Sequence, residues 1–265
     1  MNIGTITCSY FMRIYGYKRP EDFDWGAMTE KYRAEFTRQD FLTLAGEIRA
    51  LGYDSIEIWE PTFSHFVYTP DEAHTLAADL KNMGFQLIAY CIGGWGPGDL
   101  QHVEKAYAFA HALGARVVTG CILREGTEAL LDEIERCGQK YGLRYAIENH
   151  PEPNLEKPED VAQVIQKYDA IGANLDSGIY NMQGYDILAA ADLFGEKIWH
   201  VHYKDTVTGR DGCLPLGTGD APLAELLHKL RERGYAEMLS VEFEFAGDPA
   251  PGLADSLAFI QKNLN

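Results

Sequence analysis

Four short segments of this chain carry side chains that bind cations or move protons at the ends of apolar runs. They are Ala146-Ile147-Glu148-Asn149-His150, Asn174-Leu175-Asp176-Ser177-Gly178, His200-Val201-His202-Tyr203-Lys204 and Ser240-Val241-Glu242-Phe243-Glu244. If these are neighbouring strands of one sheet, Glu148, Asp176, His202 and Glu242 converge as three carboxylates and one imidazole. Three ionised carboxylates cannot share a small apolar site, because like charges raise one another's pKa. A divalent cation removes the conflict. An oxygen-rich set with one histidine suits Mn²⁺ or Mg²⁺, with Zn²⁺ and Co²⁺ also admissible. Taken singly, each residue reads equally well as a salt-bridged group at a strand end. Four such residues at consecutive strand ends read as a site for one cation.

Such a set needs strands whose C-terminal ends meet, and the rest of the chain supplies them. One unit recurs: an amphipathic helix, a glycine, then a short apolar run. It is seen at Leu51-Gly52-Tyr53, Met83-Gly84-Phe85, Leu113-Gly114-Ala115, Tyr141-Gly142-Leu143 and Arg233-Gly234-Tyr235. Glycine accepts the left-handed conformation that ends a helix, so the chain turns directly into a strand. Thr69-Pro70-Asp71-Glu72 has the spacing of a capping box, and Asp99 and Asp220 read as N-caps. Helical periodicity runs through Phe41, Leu44, Ile48 and Leu51 and through Leu223, Leu226, Leu227 and Leu230. The spacing predicts eight strands, at 3–8, 54–59, 86–91, 116–121, 143–148, 171–175, 198–203 and 238–243. Strands alternating with helices imply parallel pairing with both sheet faces covered. An open doubly wound sheet is the alternative. Eight strands without a Gly-x-Gly-x-x-Gly after the first favour a closed (β/α)8 TIM barrel, one domain spanning residues 1–265. Two intervals are long, the aromatic-rich residues 10–36 and the glycine-rich residues 206–219. Both fall on the C-terminal face of such a barrel.

Composition narrows the partners. Twenty-three basic against forty acidic residues give a net charge of −17, which repels phosphate backbones and anionic lipid. No nucleic-acid or membrane partner is expected. The five cysteines, Cys8, Cys91, Cys121, Cys137 and Cys213, lack Cys-x-x-Cys spacing and read as free thiols. Met1–Gly16 lacks the pattern of a signal peptide, and no apolar stretch approaches the roughly 18 residues of a membrane helix. A cytoplasmic enzyme is expected.

Other candidates stand beside the four. Glu57 and Glu60 flank Trp59, and His65 follows; Glu57 or His65 could contact a substrate hydroxyl or serve structure alone. His200 and His202 lie two apart on one strand face, so one can ligate while the other contacts substrate or supports the ligand. Lys204 continues that face and could orient a substrate oxygen or pair with Asp205. Tyr10, Trp95, Trp25, Trp59, Phe63, Phe66 and Tyr68 fall in or beside loops of the same face, suited to stacking on a sugar ring or an aromatic group. Each could equally pack a loop or an interface. Leu216-Gly217-Thr218-Gly219-Asp220 reads as a turn or, less simply, as a phosphate cradle. Arg124 and Arg210 are the available anion contacts.

The motifs Ile147-Glu148-Asn149-His150-Pro151-Glu152, Asn174-Leu175-Asp176-Ser177-Gly178, His200-Val201-His202-Tyr203-Lys204-Asp205 and Ser240-Val241-Glu242-Phe243-Glu244, in this order and spacing, resemble the xylose isomerase-like sugar isomerase and epimerase barrels. That superfamily includes ketose 3-epimerases, hexulose-phosphate epimerases, inosose dehydratases, C-glycoside deglycosidase subunits and endonuclease IV. The resemblance spans the chain. It makes Glu148, Asp176, His202 and Glu242 ligands of one divalent metal and His150 a catalytic or supporting candidate. Departures matter too. Ile179 stands where many relatives carry the histidine of Asp-x-x-His, and Asp211-Gly212-Cys213 lacks a nuclease's Asp-x-His, so a trinuclear nuclease site lacks ligands. His202-Tyr203-Lys204-Asp205 departs from the His-x-Gly-Glu of free-ketohexose epimerases and looks more like the inosose dehydratase and sugar-phosphate epimerase branches.

The expected reaction is proton abstraction beside a carbonyl through a metal-stabilised enediolate, with Glu148 and Glu242 acting on opposite faces of the reacting carbon. That makes the chain an isomerase or epimerase of a keto-sugar or its derivative. If His150 or Lys204 protonates a leaving group, the same chemistry becomes a lyase step, as in an inosose-type dehydratase or a deglycosidase acting on a 3-keto glycoside. A carbohydrate-binding barrel without activity is a third reading, opposed by the intact ligand set. The expected partners are a small keto-sugar or glycoside and, in the assembly, further copies of the chain or a small subunit.

Overall fold

The computed structural model describes residues 1–264. Eight parallel strands, β1 (Asn2–Ile6), β2 (Ser55–Trp59), β3 (Ile88–Trp95), β4 (Val117–Ile122), β5 (Arg144–Glu148), β6 (Ile171–Asp176), β7 (Ile198–Tyr203) and β10 (Met238–Val241), close a barrel in the order β1-β10-β7-β6-β5-β4-β3-β2. Closure excludes the open doubly wound sheet. The ring of helices comprises α1 (Trp25–Glu35), α2 (Arg38–Leu51), α3 (Pro70–Asn82), α4 (Val103–Ala112), α5 (Glu128–Tyr141), α6 (Pro158–Ile165), α7 (Ser177–Gln183), α8 (Ile187–Phe194), α9 (Leu223–Glu232) and α10 (Ala250–Leu264). The chain thus forms a single (β/α)8 TIM barrel. Among the described residues no helix is long and apolar enough to cross a membrane.

The helices dock by the periodicity read from the sequence. α5 buries Leu130, Leu131, Ile134 and Cys137, and α9 buries Leu223, Leu226, Leu227 and Leu230. Each such leucine or isoleucine contributes about 1.5–3 kcal/mol by leaving water. All five helix-ending glycines have positive φ, from 65° at Gly142 to 106° at Gly52. Thr69 caps α3 in a capping box with Glu72. Asp99 and Asp220 are not N-caps of the following α-helices. Asp99 sits inside a short 3-10 turn, where its side chain accepts the Gly96 amide. Asp220 turns back to accept from the Thr208 amide and the Asn181 side chain.

Two local features differ from the sequence reading. β3 runs on to Trp95, past a register shift between Cys91 and Gly94, where close approach to β4 leaves no room for a side chain. A Cβ on Gly94 would lie 2.4 Å from Cys121 Sγ. The glycine-rich interval after β7 contains an antiparallel hairpin, β8 (Asp205–Val207) and β9 (Arg210–Leu214).

Inside the barrel the side chains alternate by two. On β7, His200 and His202 point inward, while Trp199, Val201 and Tyr203 lie between. Register then sets the heights: His202 is level with Asp176 on β6 and with Ser240 on β10, and Glu148 is level with Asn174. Ala89, Val117, Ala146 and Met238 pack together as a small cluster beneath the polar residues.

Candidate active site and metal centre

Glu148, Asp176, His202 and Glu242 each offer a ligand atom, and these atoms all lie within 4.8 Å of one another, on buried residues. His202 Nδ1 is 3.1 Å from Glu148 Oε1, 3.3 Å from Glu242 Oε2 and 3.9 Å from Asp176 Oδ2. The imidazole therefore turns one nitrogen toward all three carboxylates.

Local structure fixes each ligand. Asp176 ends β6 and caps α7: its Oδ1 accepts the Ile179 amide at 2.7 Å, which leaves Oδ2 buried without a donor. Asn149 clamps the Asp176 backbone, accepting its N–H at 2.8 Å and donating to its carbonyl at 3.1 Å. Asn174 Oδ1 accepts the His202 amide at 3.0 Å. On its other edge, His202 Nε2 meets Glu57, at 3.1 and 3.2 Å from the two carboxylate oxygens. An Nε2–H donated there leaves the Nδ1 lone pair for a cation, the arrangement by which a carboxylate orients a metal-binding histidine.

The electrostatics match that reading. Burial pushes the Asp176 carboxyl well above the usual carboxylate range, and Glu242 and Glu148 add to the rise against Lys204. Glu242 Oε2 is likewise buried without a hydrogen-bond donor. Burial opposes ionisation of Glu242, but Lys204 and His202 outweigh it and bring the group down to about 2. Two donor-starved carboxylate oxygens facing one imidazole nitrogen are what a divalent cation satisfies, and the donor set fits one.

Glu148, His202 and Glu242 line a cavity of about 440 Å³ on the C-terminal face, and Asp176 is fully buried behind them. Its lining combines Ile6, Cys8, Trp25, Trp59, Cys91 and Cys121 with Glu148, His150, His202, Glu242 and Glu244. A larger cavity of about 640 Å³ opens at the opposite, N-terminal end around Arg144, Trp199 and Glu237, and no candidate residue lines it.

The remaining candidates divide. His150 is exposed at the cavity mouth, 3.5 Å from the Asn154 side chain. Lys204 lies beside the ligands, with Nζ 2.7 Å from Glu244 and 3.5 Å from Glu242. It does not pair with Asp205. Burial works against its charge, yet Cys213, Glu242, Glu244 and Asp176 hold it well above its ordinary value. The Lys204 stem needs Gly178: a Cβ there would lie 2.5 Å from Lys204 Cγ.

Glu57 and His200 do not line the cavity. Both are fully buried beneath it, joined by a 2.8 Å contact, so neither touches substrate through an open surface. His65 is buried in the wall against Tyr90 and Phe109, with Nδ1 2.9 Å from the Tyr90 hydroxyl, and burial drops it to about 3. Trp95 stacks on Tyr145 at 5.5 Å within the core. Tyr10 is buried and borders a separate cavity with Arg13, Tyr17 and Glu47. None of these three is among the residues that line the cavity, so the sequence reading of them as substrate contacts finds no support in its geometry. Of the aromatic loops, only Trp25 and Trp59 reach it.

The Gly217–Gly219 segment is a turn, the simpler of its two readings. Its three amides donate to a single oxygen, Asp205 Oδ2, at 2.8, 3.1 and 2.9 Å, so the cradle already holds an anion from the chain itself. Arg124 pairs with Glu152 and Asp160, at 2.7 and 3.0 Å. Residues the sequence reading passed over are Glu244, Asn149 and Asn174. The Glu242–Glu244 spacing of two was the signal for the first, since it places both on one strand face.

The structure with this site resembles known barrels. It superposes on L-ribulose 3-epimerase with a TM-score of 0.77 at 18% identity, covering 100% of this chain and 95% of that one. On the 3-keto-D-glucoside 4-epimerase YcjR of E. coli it gives a TM-score of 0.66 at 18% identity, covering 99% of each chain. In sequence it is 24% identical to the "Putative hydroxypyruvate isomerase" of Streptomyces coelicolor, over 81% of this chain and 89% of that protein. The family model described as "Xylose isomerase-like TIM barrel" matches residues 45–263, from the middle of α2 to the last turn of α10. That match covers every barrel strand but the first and all four converging side chains, and the chain belongs to the xylose isomerase-like TIM barrel family.

Proposed function

We propose that this protein is a divalent-metal-dependent isomerase or epimerase of a keto-sugar or sugar derivative. The observation that carries the reading is the meeting of Glu148, Asp176, His202 and Glu242 at and behind a solvent-reachable cavity, with a buried oxygen of Asp176 and one of Glu242 that make no hydrogen bond. Two relatives named as sugar epimerases support the substrate class, and the one named as a putative hydroxypyruvate isomerase supports the reaction type alone.

These four side chains would hold the cation, which when bound supplies Lewis-acid polarisation of a carbonyl and its neighbouring hydroxyl. Glu148 and Glu242 flank His202 from strands on either side of β6 and β7, so they approach the cavity floor from two directions. One carboxylate removes the proton from the carbon beside the carbonyl. The other returns a proton from the opposite side, which inverts that carbon; return to the neighbouring carbon isomerises instead. Trp25, Trp59 and Cys91 in the lining help to exclude water from the reacting carbon.

The test is exchange in deuterated water with Mn²⁺ or Mg²⁺ present. Deuterium enters the carbon beside the carbonyl of a keto-sugar and an isomeric product accumulates. No exchange with any keto-sugar tried would sink the reading. A second reading, a metal-dependent lyase on a keto-sugar, is favoured by the His150 imidazole at the cavity mouth. There it can protonate a departing oxygen after Glu242 or Glu148 takes the proton. Release of water or an aglycone in the same assay distinguishes it.

A further inference from the structure

Charge around the cavity bears on what its substrate carries. Glu57, Glu148, Asp176, Glu242 and Glu244 lie in or directly beneath it, and Lys204 is the single cationic side chain among them. Five carboxyl groups thus share one ammonium there. Lys204 is already committed, 2.7 Å from Glu244 and 3.5 Å from Glu242. None of the residues lining the cavity is a lysine or arginine. Arg124, an arginine on the same face, is held by Glu152 and Asp160.

A second observation is independent of that charge balance. The turn best built to hold a phosphate, with three successive amides aimed at one point, is filled by the Asp205 carboxylate. Asp205 is 1% exposed, so an incoming anion finds the place taken. The rest of the lining, Ile6, Cys8, Trp25, Trp59, Cys91 and Cys121, carries no charge to receive an anion. Such a lining accepts the C–H face of a sugar ring or an uncharged substituent.

We infer that the substrate is an uncharged keto-sugar or glycoside, carrying neither a phosphate nor a carboxylate. The inference rests on the keto-sugar reading and narrows it. It sets this chain apart from relatives whose substrates are anionic, a hydroxypyruvate isomerase among them.

The experiment compares matched pairs on the Mn²⁺-loaded protein: L-ribulose with L-ribulose 5-phosphate, and D-fructose with D-fructose 6-phosphate. Deuterium exchange gives kcat/KM, and isothermal titration calorimetry gives binding separately from turnover. The neutral member of each pair should win by about tenfold or more in both, because like charges are being juxtaposed. Inorganic phosphate should not displace it. In Glu244→Gln, Lys204 loses its closest carboxylate and the disadvantage of the phosphate ester should shrink severalfold. Equal or tighter binding of the phosphate esters, or no heat from either neutral sugar, overturns the inference. Exchange that fails with every sugar while the neutral members still bind overturns the reaction reading and leaves the charge inference standing.

Discussion

His200 Nε2 lies 2.8 Å from Glu57 Oε2, and neither side chain meets solvent. The same carboxylate takes Thr119 Oγ1 at 2.6 Å and His202 Nε2 at 3.1 Å, so one buried group ties β2, β4 and β7 together beneath the cavity. Burial alone would raise Glu57, but His200 and His202 bring it well below the usual carboxylate range. Glu57 thus acts through His202, fixing which imidazole nitrogen faces Glu148, Asp176 and Glu242.

Replacing Glu57 by Gln keeps the shape but weakens the acceptor that orients His202. Metal affinity should fall about 10–100-fold, the usual effect of losing such a support. Competition with a chromogenic chelator measures it. An unchanged affinity would mean that His202 holds its orientation without Glu57.

Each chain should bind about one divalent ion, and the bound protein should melt higher. With Mn²⁺ at about a hundred times its Kd, the gain is about 2.7 kcal/mol. His202→Ala should lose most of that gain. Elemental analysis and paired melts with and without Mn²⁺ report both. A wild-type-like metal shift in His202→Ala would remove it from the ligand set.

Glu148→Gln and Glu242→Gln should each lower kcat by about 10²–10⁴, the range of a lost general acid or base. Without metal, Glu242→Gln also removes the carboxylate that faces Lys204 and His202, so the apo melting temperature of that variant should fall. Activity within threefold of wild type in either variant would discard the two-carboxylate mechanism.

Asp205→Ala strands the amides of Gly217, Thr218 and Gly219, which now share its Oδ2. Loss of this charge-assisted cluster should cost at least about 2 kcal/mol. Urea unfolding at constant m-value is the measurement. A loss below 0.5 kcal/mol would show that water replaces the carboxylate freely.

Cys213 is half-buried, and burial with Glu244 nearby pushes its thiol up to about 12, against the opposing pull of Lys204. A raised thiol pKa means less thiolate at neutral pH. Alkylation by iodoacetamide should therefore be slow at pH 7 and keep climbing about tenfold per unit past pH 9, where an ordinary cysteine levels off. Mass spectrometry of the Cys213 peptide across pH 7–10 tests it. A plateau near pH 8.5–9 would show an unperturbed thiol.

The convergence of Glu148, Asp176, His202 and Glu242 was legible because polar residues at the ends of apolar strands are conspicuous, and a closed barrel gathers strand ends. Their supports were not. Asn174 reaches the His202 backbone across a strand pair, and Glu57 reaches His200 across 143 residues of sequence, contacts that no local pattern encodes. Tyr10, His65 and Trp95 were not separable by pattern, because aromatic rings suit a core as well as a sugar, and Tyr10 and His65 sit in a 3-10 turn and a loop whose packing no strand periodicity encodes. The Gly217–Gly219 turn was visible as an anion cradle, but its occupant stands 12 to 14 residues away, across a hairpin. That hairpin escaped notice because Thr208-Gly209-Arg210-Asp211-Gly212 shows no alternation.

The alternation along β7 constrains how this protein can change over evolutionary time. Deleting one residue within Ile198–Tyr203 would exchange His200 and His202 for neighbours that pack against the helices, swapping site for core in a single event. Insertions and deletions are therefore closed to the strands, and new specificity has to arise by substitution or in loops such as residues 10–36. Catalysis and folding are written on opposite faces of the same few residues, and neither can be reframed without the other.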